Sequence, residues 1–229
     1  MSQVLSHQYG RHGSTVLNEI FALQQIPHQG QEPRKAQVVF FGLDANYSPE
    51  ISKYPDFMAK ISEYHEDGVG FWKKYGVHHP FLLDSYPLKK NTGGVPYHRK
   101  FTWLGLDKAY AEKVTFIEIL PFPTTGRTIP SKFWSLFDLD HAKNIDSLIL
   151  SGESRLVILS KSLFSEYMQE ARRKHNVFTW LPTEFCLGEM KRIGKTLIYG
   201  APHFSSTNYK KSVFESLGTE VRKFCENAP

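Results

Sequence analysis

Cysteine is nearly absent from this chain of 229 residues, which holds Cys186 and Cys225 and no others. Two thiols so far apart exclude a disulfide framework, a four-cysteine zinc site and an iron–sulfur cluster. Long apolar runs are missing too. None approaches the roughly 18 residues of a membrane span, so no membrane association is expected. The opening MSQVLSHQYGRHG lacks the apolar centre of a secretion signal, and reducing cytoplasm is the expected compartment. There are no internal repeats or low-complexity linkers, so residues 1–229 are expected to form one domain with a real core. His78 and His79 are adjacent rather than spaced as ligands on one helix face, and no Cys/Asp/His cluster surrounds them. No metal and no cofactor are expected, and a monomer is the expected state.

What the chain does have is a basic balance, with a net charge of +5 and a pI near 9.0. That permits an anionic partner such as nucleic acid without requiring one. Four short runs are rich in β-formers: 37–41 (QVVFF), 114–120 (VTFIEIL), 156–159 (LVIL) and 196–199 (TLIY). They are continuously apolar apart from Glu118, the pattern of strands buried on both faces of a parallel sheet. FTWLP around Phe178 is a candidate edge strand. Helical spacing covers STVLNEIFALQQI from Ser14, SLFSEYMQEARRK from Ser162 with its basic last turn, and the final stretch from Tyr209 to Phe224, with Ser206 or Thr207 as its cap. The expected fold is therefore a three-layer α/β/α sandwich around a mostly parallel four-stranded sheet. Residues 84–100 (DSYPLKKNTGGVPYHRK) read as a long loop, either functional or a solvated excursion.

Three strand ends carry polar clusters: GLDANYSP after the first run, Glu118 with LPFPTTGR after the second, and YGAPHFSSTNY after the last. In a parallel sheet these carboxyl ends share one edge, where open α/β folds hold ligands. Each cluster alone also has an ordinary explanation. Asp44 and Ser48 can cap a turn, His203 can be structural, and Glu118 can be paired with a nearby cation.

These motifs resemble those of the uracil-DNA glycosylase superfamily. Gly42, Leu43 and Asp44 match its first motif, with Ala45 replacing a proline and Asn46 in a tyrosine slot. His203 and Ser205 match its last, with Phe204 replacing a proline. Phe71, Trp72 and Lys73, then Pro123 and Thr124, match features of the mismatch-specific branch. The resemblance implies a cofactor-free DNA glycosylase that flips a base out of the duplex. Asp44, or Asn46, would orient water at an oxocarbenium-like sugar, and His203 would stabilise the departing base. Phe57, or Phe71 unless it belongs to the core, would stack on the base, with Tyr47 beside it. Ser48, Ser205, Ser206 and Lys210 would hold phosphates. Lys89, Lys90, Arg99, Lys100, Arg127, Lys132 and Lys211 lie in or beside the same loops.

Uracil-removing members hold their base with an asparagine where this chain has Glu118. An ionised carboxylate only accepts hydrogen bonds, which suits the amino group of cytosine. Asn46 is smaller than tyrosine and would leave room for a substituent on the base. The implied activity is removal of a modified cytosine, such as glucosylated hydroxymethylcytosine in phage DNA. Uracil or mismatch excision, a DNA-binding module without activity and hydrolysis of free nucleosides are the alternatives.

Overall fold

In a computed structural model the described residues are 8–91 and 93–227. Part of the opening segment judged to lack a secretion signal, residues 1–7, and Thr92 within the expected 84–100 loop lie outside them. The strands are β1 (Gly10–Arg11), β2 (His28–Gly30), β3 (Val38–Gly42), β4 (Ala45–Asn46), β5 (Val114–Glu118), β6 (Pro123–Thr125), β7 (Leu156–Ser160), β8 (Met190–Ile193) and β9 (Thr196–Ala201). The helices are α1 (Thr15–Ala22), α2 (Pro55–Glu66), α3 (Gly68–Tyr75), α4 (Val95–Phe101), α5 (Pro130–Leu136), α6 (Leu139–Ile149), α7 (Gln169–His175) and α8 (Lys211–Asn227).

The four apolar runs become β3, β5, β7 and β9, all mutually parallel, but the sheet has six strands rather than four. Its order is β2-β5-β3-β7-β9-β8, with β2 and β8 pairing antiparallel at the edges. Successive residues of each central strand point to opposite faces. Val39, Phe41, Val157 and Leu159 join a core with α5, α6 and the π-helical turn Leu163–Met168 that leads into α7. Val38, Phe40, Leu156 and Ile158 join a second core with Trp72 of α3, Phe101 of α4 and Phe214 of α8. Continuous apolarity in the sequence is thus explained by a sheet covered on both sides. A separate three-stranded sheet, β1-β6-β4, ties the amino-terminal segment to the turns that follow β3 and β5.

Three expectations are corrected. FTWLP is a turn and not an edge strand: Asp146 accepts hydrogen bonds from the Phe178 N–H and the Trp180 indole, and Phe178 takes a left-handed φ of 55°. The 84–100 stretch is not all loop, because Pro96 in the first turn starts α4. The last helix begins at Lys211, so Ser206 and Thr207 do not cap it; Ser206 Oγ accepts instead from Asn208 N–H within the preceding turn.

Candidate active site

Parallel strands that run side by side must separate where the chain reverses its order of laying them down. Here β3 comes first, β5 is added on one side and β7 on the other. Pairing of β3 with β7 ends at Phe40 and Ile158, while β3 continues to Gly42 and β7 to Ser160. The crevice that opens there is where such folds place ligands. It is lined by Phe40, Phe41, Ile158, Ser160, Tyr97 and His203, and its volume is about 10 Å³, room for one water. A groove of about 290 Å³ lies at the other end of the sheet, between β8 and the end of α8.

Past the end of β3, Asp44 is held from two sides. The Tyr9 hydroxyl donates to Oδ2 at 2.6 Å and the Thr124 hydroxyl donates to the same atom at 2.9 Å. Oδ1 accepts no hydrogen bond from the described residues. Burial raises the Asp44 pKa, and the two donors oppose that rise. Asn46 is anchored through its amino group. Its Nδ2 donates to Gly126 O at 2.8 Å and to Thr124 Oγ1 at 3.3 Å, so the amide braces the β4–β6 pair. Asn46 Oδ1, like Asp44 Oδ1, accepts no hydrogen bond from the described residues, but of the two only the carboxylate can take up a proton from water.

Glu118 ends β5 directly beside Gly42. Its carboxyl group crosses the glycine Cα so closely that a Cβ there would lie 1.9 Å from Oε2. Oε2 is buried and has no hydrogen-bond partner among the described residues. Burial, followed by the Asp44 charge, raises the Glu118 pKa to about 8. Burial thus favours the carboxylic acid, both donor and acceptor, where an ionised, accept-only carboxylate was expected. Neither an arginine nor a lysine pairs with it among the described residues.

His203 is exposed at the rim of the crevice, 6.2 Å between ring centres from Tyr97. Surrounding protein lowers its pKa and the Lys100 ammonium lowers it further. Ser205 N–H donates to Nδ1 at 3.1 Å, which leaves the proton of the neutral ring on Nε2, a donor.

No family model, curated protein or solved structure matches this chain.

Of the other expected site residues, Tyr47 bears on Glu118 from a neighbouring cluster without lining the crevice, and the rest fall elsewhere. Phe57 packs on Tyr86 and Tyr47 on Phe81 in a buried cluster with α1, and the Tyr47 hydroxyl shares a 2.9 Å hydrogen bond with His65 Nε2. Phe71 is buried against Tyr64 and Tyr75. None of these three rings lines the crevice. Ser48 is drawn into the turn: its carbonyl accepts from His12 Nε2–H and its Oγ from Glu50 N–H. Ser205 and Ser206 precede α8 rather than starting it, and the Ser206 carbonyl accepts from Lys100 Nζ. Lys210 is exposed just ahead of the helix.

Two residues of the site were not anticipated. Tyr9 lies in a segment without periodicity, and nothing in the sequence links it to Asp44. Tyr97 lines the crevice, and its own pKa is raised by burial and then by the nearby Glu118. The Gly-Gly-Val-Pro start of α4 was the signal that could have found it.

Proposed function

We propose that the chain is a DNA glycosylase of the uracil-DNA glycosylase type that hydrolyses the N-glycosidic bond of a modified cytosine. The observation that carries this is the closeness of Asp44, open at Oδ1, to Glu118, whose buried Oε2 has no partner among the described residues, at the carboxyl ends of β3 and β5. Neither side chain lines the crevice itself. Excision of a base needs an acceptor for water at the sugar and polar groups for the base. Asp44 Oδ1 supplies the first. Glu118 and the Nε2–H of His203 supply the second, and Lys100 adds positive charge beside the rim. A pyrimidine exceeds the present hollow, so its admission requires Tyr97 and His203 at the rim to move outward.

A second substrate is favoured by one observation. A neutral Glu118 presents a donor and an acceptor side by side, which matches the edge of uracil as well as that of cytosine. Incubation with plain, uracil-containing and glucosylated-cytosine DNA, with mass spectrometry of the freed base, separates the two. Release of the modified cytosine alone, lost in Asp44→Ala, is the expected result. Release of uracil alone would move the assignment to repair. Salt-dependent DNA binding without any free base would leave a binding module.

A further inference from the structure

We propose that Glu118 is a catalytic acid, passing its proton to the departing base while Asp44 takes the proton of the attacking water. This rests on the glycosylase reading and adds to it, since base recognition alone needs no proton transfer.

The two carboxyl groups stand at the ends of adjacent parallel strands, and burial raises the pKa of both, but they differ in hydrogen bonding. Asp44 receives two hydroxyl donors on one oxygen, and such bonds favour its charged form. Glu118 receives none at Oε2, and the surroundings favour its neutral form. The groups that bear on it add no cation. They are Asp44 after β3, Tyr47 after β4, Tyr64 on α2 and Tyr97 on α4. On α6, His141 donates Nε2–H to the Glu118 backbone carbonyl at 2.9 Å and leaves the carboxyl group untouched. Neighbouring carboxyl groups of which one receives two donors and the other none at a buried oxygen suit a base and an acid at work together. Glu118, whose buried Oε2 no donor reaches and whose pKa burial raises to about 8, is the acid.

The step balances without a further reagent. Water adds to C1′ and gives one proton to the Asp44 carboxylate. The C1′–N1 bond breaks with its electron pair going to the base, and the Glu118 O–H proton moves to N3 or O2 of that base. The products are an abasic sugar and a neutral base. Asp44 then holds the proton that Glu118 has lost, and exchange with solvent restores both. Cytosine-type bases fit such an acid, because unsubstituted N3 accepts a proton while the amino group donates to the other carboxyl oxygen.

The test is single-turnover release of the glucosylated base from duplex DNA between pH 6 and 10, with DNA affinity measured in parallel, for wild type and Glu118→Gln. The wild-type rate is expected to be level below about pH 8 and to fall about tenfold per pH unit above it. Glu118→Gln, isosteric and able to hydrogen-bond, is expected to bind DNA as tightly but to release base about 10²–10⁴-fold more slowly, with the alkaline fall gone. Loss of affinity with an unchanged rate on bound DNA would reduce Glu118 to base recognition and overturn the proposal. So would an alkaline fall that persists in the variant. If the wild type frees no base from any DNA, it is the glycosylase reading that fails, and the acid role goes with it.

Discussion

At the scale of single residues, the contact between Gly42 and Glu118 decides more than either side chain does alone. In Gly42→Ala the new methyl must push the flexible carboxyl end aside. Little unfolding free energy is at stake, but a group displaced by about 1 Å can cost catalysis about 10²-fold. Gly42→Ala is therefore expected to melt near the wild-type temperature and to release base far more slowly; equal activity in a base-release assay would contradict this placement of Glu118. Asp44→Asn keeps an acceptor for Tyr9 and Thr124 but loses the capacity to take a proton. Its expected rate loss is about 10²–10⁴-fold, with folding intact by circular dichroism. The sequence already marked Glu118 as the one charge in an apolar run. The rise in its pKa was not legible, because that depends on burial and on the lack of a donor at Oε2, and both arise from chain segments distant in sequence. Tyr9 was invisible for the same reason.

Among the elements, the four central strands were legible because each is buried on both faces and so reads as continuous apolar sequence. The edges were not. β2 is the tripeptide His-Gln-Gly and β1 and β4 have two residues each, too short for any period to show. The Phe178 turn mimicked a strand in composition, and only the Asp146 carboxylate reveals why it bends. α4 is held in place by α8 through the short 3₁₀ turn Thr102–Leu104, where Gly218 permits close approach and Arg222 donates to the Leu104 carbonyl at 2.8 Å. A Cβ on Gly218 would lie 1.9 Å from Leu104 O, a rigid backbone atom. Gly218→Ala is expected to destabilise by about 1–3 kcal/mol, read as a lower urea midpoint. Because α4 carries Tyr97 and Lys100, base release should weaken with it, unlike the selective loss in Gly42→Ala.

For the molecule as a whole, buried ionisable groups set a pH window. His65 and His98 are held near a pKa of about 3 by burial, and burial drives His78 and His79 down as well. An unfolded chain would take up protons at these positions below about pH 6.5, whereas the folded one resists them. Stability therefore falls as pH drops from about 6.5 towards 3. Glu118 acts at the other end. Its folded pKa of about 8 lies above the unfolded value, so its neutral form contributes stability at low pH that is lost as pH rises through about 8. Glu118→Gln should gain on the wild type between about pH 5 and 8, and urea unfolding across that range checks it; a constant difference would mean that Glu118 titrates normally. No helix among the described residues is long and apolar enough to cross a membrane.

The β1-β6-β4 sheet has a practical side. Tyr9, next to β1, hands a hydrogen bond to the residue assigned to activate water, so changes in the segment around β1 work within reach of the chemistry. The carboxyl end of α8 sits with Leu197 at the far edge of the sheet. Labels and immobilisation chemistry belong on that edge, where a change in rate can be credited to the substitution under study rather than to the attachment.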